Sequence, residues 1–230
     1  MQLDMHDRRD TKSKILLDEK SRKTISLLFR RGVFGSDIMS SGIYLARFLF
    51  ARKRIYSGKI VLDLGCGAGT QGTIMAKNGA SFVTFVDLSP KAVENARENI
   101  SRHKIAKKSE AFVSDLFSGI PKGRKFDVIV FNHPFFPGEP EDLKHRSADA
   151  MLKRSMLGGT NLIKKFFGQC RDYMNEDSVI VMPIFHFAGP ENDPANHVAK
   201  YGLKIREKVP VDSKKGLQKG AFSIYVISKK

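Results

Sequence analysis

Two stretches of this 230-residue chain bring together side chains and backbone suited to chemistry. The first reads Val61-Leu62-Asp63-Leu64-Gly65-Cys66-Gly67-Ala68-Gly69-Thr70, an apolar run that holds one acid and opens into glycines at alternate positions. Glycine has no Cβ to keep a ligand away, and it adopts the positive φ that a tight strand-to-helix turn requires. A ligand on such a turn lies at the carboxyl end of an open α/β sheet, where these sheets form their binding crevices. Two further acids follow apolar runs, Asp87 after Phe85-Val86 and Asp115 after Ser114. The second stretch, Asp127-Val128-Ile129-Val130-Phe131-Asn132-His133-Pro134-Phe135-Phe136, ends an apolar run in an amide, an imidazole, a proline and two rings. Proline pushes the residue before it out of the helical region, so His133 is expected to be extended.

These groups need a scaffold, and the alternation of patterns predicts one. Short β-branched runs at Ile60–Leu64, Phe82–Val86, Ala111–Val113, Phe126–Phe131, Ser178–Ile184, Lys204–Val209 and Phe222–Ile227 read as seven strands. Helical patterns between them imply βα units on a mostly parallel sheet. Ser89-Pro90 is a helix start, with Ala92, Val93, Ala96 and Ile100 recurring on one face. Further helices are expected over Thr160–Tyr173 and Ala195–Tyr201. Met1–Lys23 is highly charged and should be mobile or a surface helix, with a longer helical pattern over Ser40–Phe50. The expected organisation is an N-terminal helical extension over 1–55 and an α/β domain over 56–230.

A glycine-rich turn alone is shared with dinucleotide-dependent oxidoreductases, whose pattern is Gly-x-Gly-x-x-Gly. Here the order is Asp63-x-Gly65-x-Gly67-x-Gly69, with Asp87 standing 22 positions after Gly65 and Asp115 after the third strand. That arrangement resembles the class I, Rossmann-like S-adenosylmethionine-dependent methyltransferases. The resemblance implies S-adenosyl-L-methionine as cofactor, lined by Gly65, Cys66, Gly67 and Gly69, with Cys66 a small packing residue. It implies Asp87 as acceptor for both ribose hydroxyls, Asp115 as acceptor for the adenine amine, Leu88 and Leu116 against the ring faces, and Asp63 near the methionine ammonium.

Asn132-His133-Pro134-Phe135 resembles the Asn-Pro-Pro-Phe/Tyr motif of the methyltransferases that act on planar nitrogens: exocyclic amines of adenine and guanine, and glutamine amides of release factors. The delocalised lone pair makes such a nitrogen a poor nucleophile. The resemblance implies that the Asn132 side-chain oxygen and the His133 carbonyl accept its hydrogens, beside the cofactor, while Phe135 stacks on the flat group. His133 departs from the family, which has proline there. Shorter echoes are Val33-Phe34, Ser40-Ser41 and Tyr44-Leu45, similar to a segment that helps close over the cofactor, and Gly158-Gly159 ahead of Ile163, Phe166 and Phe167.

Composition narrows the partners. Lys and Arg outnumber Asp and Glu by 40 to 24, a formal charge of +16, and such a field attracts phosphate-rich polymers. Ile38–Phe50 is too short and too charged for a bilayer span, and the charged start has no secretory core. The two cysteines, Cys66 and Cys170, stand far apart, so neither a disulfide framework nor a metal site is expected. The expectation is therefore a cytoplasmic N-methyltransferase acting on nucleic acid, RNA or DNA, with adenine the first acceptor. A glutamine of a ribosome-associated protein is second and a small-molecule amine third; a silent nucleic-acid binder on the same fold is the rival outside catalysis.

Overall fold

The computed structural model describes residues 10–33, 40–134, 159–211 and 221–230. Along the chain come β1 (Thr11–Asp18), β2 (Lys23–Phe29), α1 (Ser40–Ala51), β3 (Ile60–Leu64), α2 (Thr70–Lys77), β4 (Phe82–Asp87), α3 (Pro90–Arg102), β5 (Ser109–Val113), β6 (Phe126–Phe131), α4 (Gly159–Cys170), β7 (Met174–Phe185), β8 (Leu203–Pro210) and β9 (Phe222–Lys229). The last seven strands form one sheet in the order β5-β4-β3-β6-β7-β9-β8. All pairs from β5 to β7 are parallel, and β9 lies antiparallel between β7 and β8.

The central strands are buried on both faces, which is why they read as largely apolar runs rather than alternating ones. Val61, Leu62, Val128, Ile129 and Val130 are all fully covered. On one side α4 lays Ile163, Phe166 and Phe167 into the core, with the Phe166 ring 4.9 Å from that of Phe131. α3 starts as expected: Pro90 occupies its first turn, and the Ser89 hydroxyl accepts the Ala92 N–H at 3.4 Å. The whole is a Rossmann-like α/β fold.

Two expectations are corrected. The start of the chain is not helical: β1 and β2 pair as an antiparallel hairpin before α1. The period there is two, with Ile15 and Leu17 buried, the half-buried Leu16 between them and the charged Lys14 and Asp18 on either side. Asp18 tightens the turn by accepting the N–H groups of Lys20 and Ser21, and Arg22 takes a left-handed φ of 54°. Residues Met1–Arg9 lie outside the described residues. The helix expected over Ala195–Tyr201 is instead part of a chain of 3-10 turns, at Pro190–Asn192, Pro194–Asn196 and Val198–Tyr201. Pro190 and Pro194 remove N–H donors that a continuous helix would need, so each turn restarts at a new cap. Asp193 supplies one such cap by accepting the Ala195 N–H at 2.9 Å.

Candidate active site

The carboxyl ends of four adjacent parallel strands carry most of the expected site. Leu64 pairs with Phe131 and with Val86, and Asp87 pairs with Val113. Gly65, Asn132, Asp87 and Ser114 therefore stand side by side at one rim of the sheet, with neighbouring strands about 4.8 Å apart. Gly65, Gly67 and Gly69 all adopt left-handed φ, at 64°, 54° and 81°. The turn is held from β4: Cys66 N–H donates to the Val86 carbonyl and Gly67 N–H to Asp87 Oδ2, both at 2.9 Å. Asp87 Oδ1 accepts the Ser89 N–H at 2.9 Å. Cys66 is buried in the core, in keeping with a packing role.

Asp63 is buried beneath the turn, and its Oδ2 accepts the Gly72 N–H at 2.7 Å. Burial pushes its carboxyl up to about 8; the Gly72 bond opposes that rise and the nearby Asp87 adds to it. Burial also raises Asp87, against the bonds from Ser89 and Gly67. Gly72 did not stand out in the sequence, yet a Cβ there would lie 2.2 Å from the Phe85 ring. Its absence lets the first turn of α2 come down onto β4 and reach Asp63. Gln71, also buried, ties the same turn to α1 by donating to the Gly42 carbonyl at 3.3 Å.

Towards β5 the rim turns apolar and open. Leu88 is 40% exposed and Val113 46%, two of the few large apolar side chains left uncovered among the described residues. Asp115 is exposed beside them, and Leu116 is packed in the core at a φ of 48°. Ser114 sets that bend by donating to the Leu116 carbonyl and accepting the Gly119 N–H. In the sequence Val113 marked only the end of a strand and Ser114 only the position before Asp115; their places at the rim come from the fold. A bared apolar ledge flanked by Asp87 and Asp115, next to a glycine turn and a buried acid, suits a nucleoside carrying an ammonium, and the residues present fit S-adenosylmethionine.

At β6, Asn132 is half-buried and its Oδ1 is covered, with no hydrogen-bond partner among the described residues. His133 is buried with its ring 5.5 Å from that of Phe131, and burial drives the imidazole down to about 4, partly offset by the Phe131 backbone. It is neutral at physiological pH. Pro134 is half-buried. Phe135, Phe34 and Gly158 lie outside the described residues.

Two predictions follow from this packing. Gly72→Ala should destabilise the protein by about 1–3 kcal/mol, the usual cost of forcing a methyl into a filled core, read as a lower denaturation midpoint. The second concerns pH. Asp63 titrates higher in the folded chain, at about 8, than a free aspartate at about 4, so the folded state holds the extra proton between those values and stability falls as pH rises. His133, depressed to about 4 from about 6.5, acts in the opposite sense below pH 6.5, where stability falls as pH drops. The Asp63 slope should therefore emerge between about pH 6.5 and 8 in the ligand-free protein, and Asp63→Asn should flatten it in chemical denaturation.

The sequence pattern of the methyltransferase small domain family matches residues 24–182. A Methanocaldococcus jannaschii protein provisionally described as a protein N5-glutamine methyltransferase is 30% identical over 161 residues, covering 67% of this chain and 77% of that one. A ribosomal RNA small subunit methyltransferase C of Hamiltonella defensa is 36% identical over 123 residues, covering 53% of this chain and 34% of the relative. The fold matches a T. thermophilus 16S rRNA N2 methyltransferase solved with AdoMet and guanosine, with a TM-score of 0.62 and 17% identity, over 96% of this chain and 50% of that one. The chain thus spans only part of the two ribosomal RNA enzymes. The family match runs from β2 into β7 and takes in the glycine turn, Asp87, Asp115 and Asn132, so the chain belongs to the methyltransferase small domain family, a methyltransferase built around an S-adenosylmethionine site.

Proposed function

We propose that the chain methylates a planar nitrogen, the exocyclic amine of a purine in nucleic acid, with adenine the first candidate. The observation that carries this reading is the covered Asn132 Oδ1, an amide oxygen without a partner among the described residues, one position past β6 and beside the glycine turn. A buried acceptor left unmatched costs free energy, and a substrate N–H recovers it. S-adenosylmethionine supplies an electrophilic methyl group. The nitrogen lone pair would form the new C–N bond as the methyl–sulfur bond breaks, leaving S-adenosylhomocysteine, and the methylated nitrogen would lose one proton to solvent. As positive charge grows on that nitrogen its N–H groups become stronger donors, so Asn132 Oδ1 and the His133 carbonyl hold the transition state more tightly than the ground state. The His133 imidazole is covered and weakly basic, which supports a packing role rather than proton transfer.

Phe rather than Tyr at position 135 and the charge of +16 favour a nucleobase in a phosphate-rich polymer. A glutamine amide is the second reading, favoured by the M. jannaschii relative, of which this chain spans 77%. Both targets present N–H groups on a planar nitrogen.

Asn132→Ala should lower kcat by about a hundredfold, about 3 kcal/mol on the barrier, with donor affinity nearly unchanged. Near-normal turnover in that variant on the true acceptor would remove the planar-nitrogen mechanism while leaving a methyltransferase. The acceptor itself is read by supplying labelled donor to RNA, DNA and protein fractions. Label is expected in nucleic acid, falling steeply with added salt because phosphate contacts release condensed counterions. Label in protein alone would make the glutamine reading the correct one.

A further inference from the structure

α3 does more than cover the sheet: one of its faces serves β2 as a neighbouring strand would. Asn99 Oδ1 accepts the Leu28 N–H at 2.9 Å, and Asn95 Nδ2 and Asn99 Nδ2 both donate to the Leu28 carbonyl, at 3.0 and 2.8 Å. Asn95 Oδ1 accepts the Arg30 N–H at 3.0 Å, and His103 Nε2 meets the Ser26 carbonyl at 2.8 Å. The spacing explains the match. Four residues of helix rise about 6 Å, and two residues of strand about 6.8 Å. Positions 95, 99 and 103 therefore keep step with 30, 28 and 26, and the hairpin edge is closed without a third strand.

Asn99 makes one bond that Asn95 does not. Its Nδ2 also donates to the Ala68 carbonyl at 2.9 Å, inside the glycine turn. The N–H on the other side of that peptide, Gly69, donates to the Cys66 carbonyl at 2.8 Å. The Ala68–Gly69 peptide is thus pinned at both ends, one of them by a side chain committed to the hairpin. Asn99 is fully buried, and Ala68 packs in the same apolar cluster as Ile15, Leu17, Ile25, Leu27 and Phe29 of the hairpin.

We infer that Asn99 is a positioning residue of the donor site, which fixes the glycine turn in its binding conformation and couples donor affinity to the seating of the N-terminal hairpin. It acts through Ala68 and touches no reacting atom. The inference rests on the donor site and is independent of which acceptor is methylated.

Asn95 provides the control, because it bonds the same strand without reaching the turn. Asn95→Ala and Asn99→Ala should both lower the melting temperature. Asn99→Ala should weaken S-adenosylhomocysteine binding in calorimetry by about tenfold, within the range of ordinary coupling between sites, and Asn95→Ala, which loosens the hairpin but keeps the Ala68 bond, by much less. Unchanged affinity in Asn99→Ala, or equal losses in the two variants, would overturn the assignment. Should Asn99→Ala fail to fold, the unaltered protein gives the answer through reciprocity: saturating S-adenosylhomocysteine should slow hydrogen exchange at the Leu28 amide, remote from the donor. Exchange at Leu28 indifferent to the ligand would count against the coupling.

Discussion

The carboxylate of Asp87 accepts the N–H groups of Gly67 and Ser89, and through these two bonds one side chain at the end of β4 sets both the glycine turn and the start of α3. A carboxylate has about four acceptor positions, and the backbone, with Leu88 as well, does not fill them all, so capacity remains for a ribose hydroxyl. The groups that shape the pocket and those that would grip its ligand are therefore partly the same. From Ser89 the helix runs on to Asn95 and Asn99, whose amides seat the hairpin and return to the turn at Ala68. Turn, helix and hairpin form a closed circuit of hydrogen bonds around the donor loop.

That circuit buries two acids, and burial makes each resist ionisation. Asp63 lies under the turn with one N–H from Gly72, and the nearby Asp87 helps raise its pKa. In the ligand-free protein the cheapest response is to keep a proton on Asp63. A ligand that brings positive charge opposes the effect of burial, since an opposite charge favours the ionised form. Such a site favours a ligand with positive charge, as S-adenosylmethionine has. Here the electrostatics and the family membership agree for separate reasons.

The sheet was legible because buried parallel strands must be apolar on both faces, and Ile60–Leu64 and Phe126–Phe131 appear at the expected positions. The glycine turn was legible because positive φ at alternate positions restricts the residue type. The hairpin was not, since the buried Ile15 and Leu17 of β1 stand in a stretch rich in lysines and acids, and the edge of β2 is closed by α3, far away in sequence. Asn95 and Asn99 looked like ordinary polar positions on an amphipathic helix; only the tertiary fold gives them their partners. Gly72 was hidden for the same reason, because the ring that excludes its Cβ comes from β4. Ahead of Ala195–Tyr201, where a helix was expected, the sequence holds two prolines within five residues, Pro190 and Pro194, and each opens a 3-10 turn.

In the proposed reaction, chemistry and recognition would fall to different parts of the chain. Asn132 and the carbonyl after it would read only the two hydrogens of a planar nitrogen, which a purine amine and a glutamine amide share, so such a device would determine the kind of bond made and not the molecule that receives it. Discrimination needs contacts that see a ring rather than a chain, or a polymer rather than a peptide. Position 135 can supply the first, because a flat apolar plate gains most from a flat partner. The excess of 40 basic over 24 acidic residues supplies the second, acting over about 8 Å at physiological salt and strongest towards the dense charge of a phosphate backbone. A local amide indifferent to the target, joined to a net charge that is not, would suit the acceptor proposed here, a small group carried on a large polyanion.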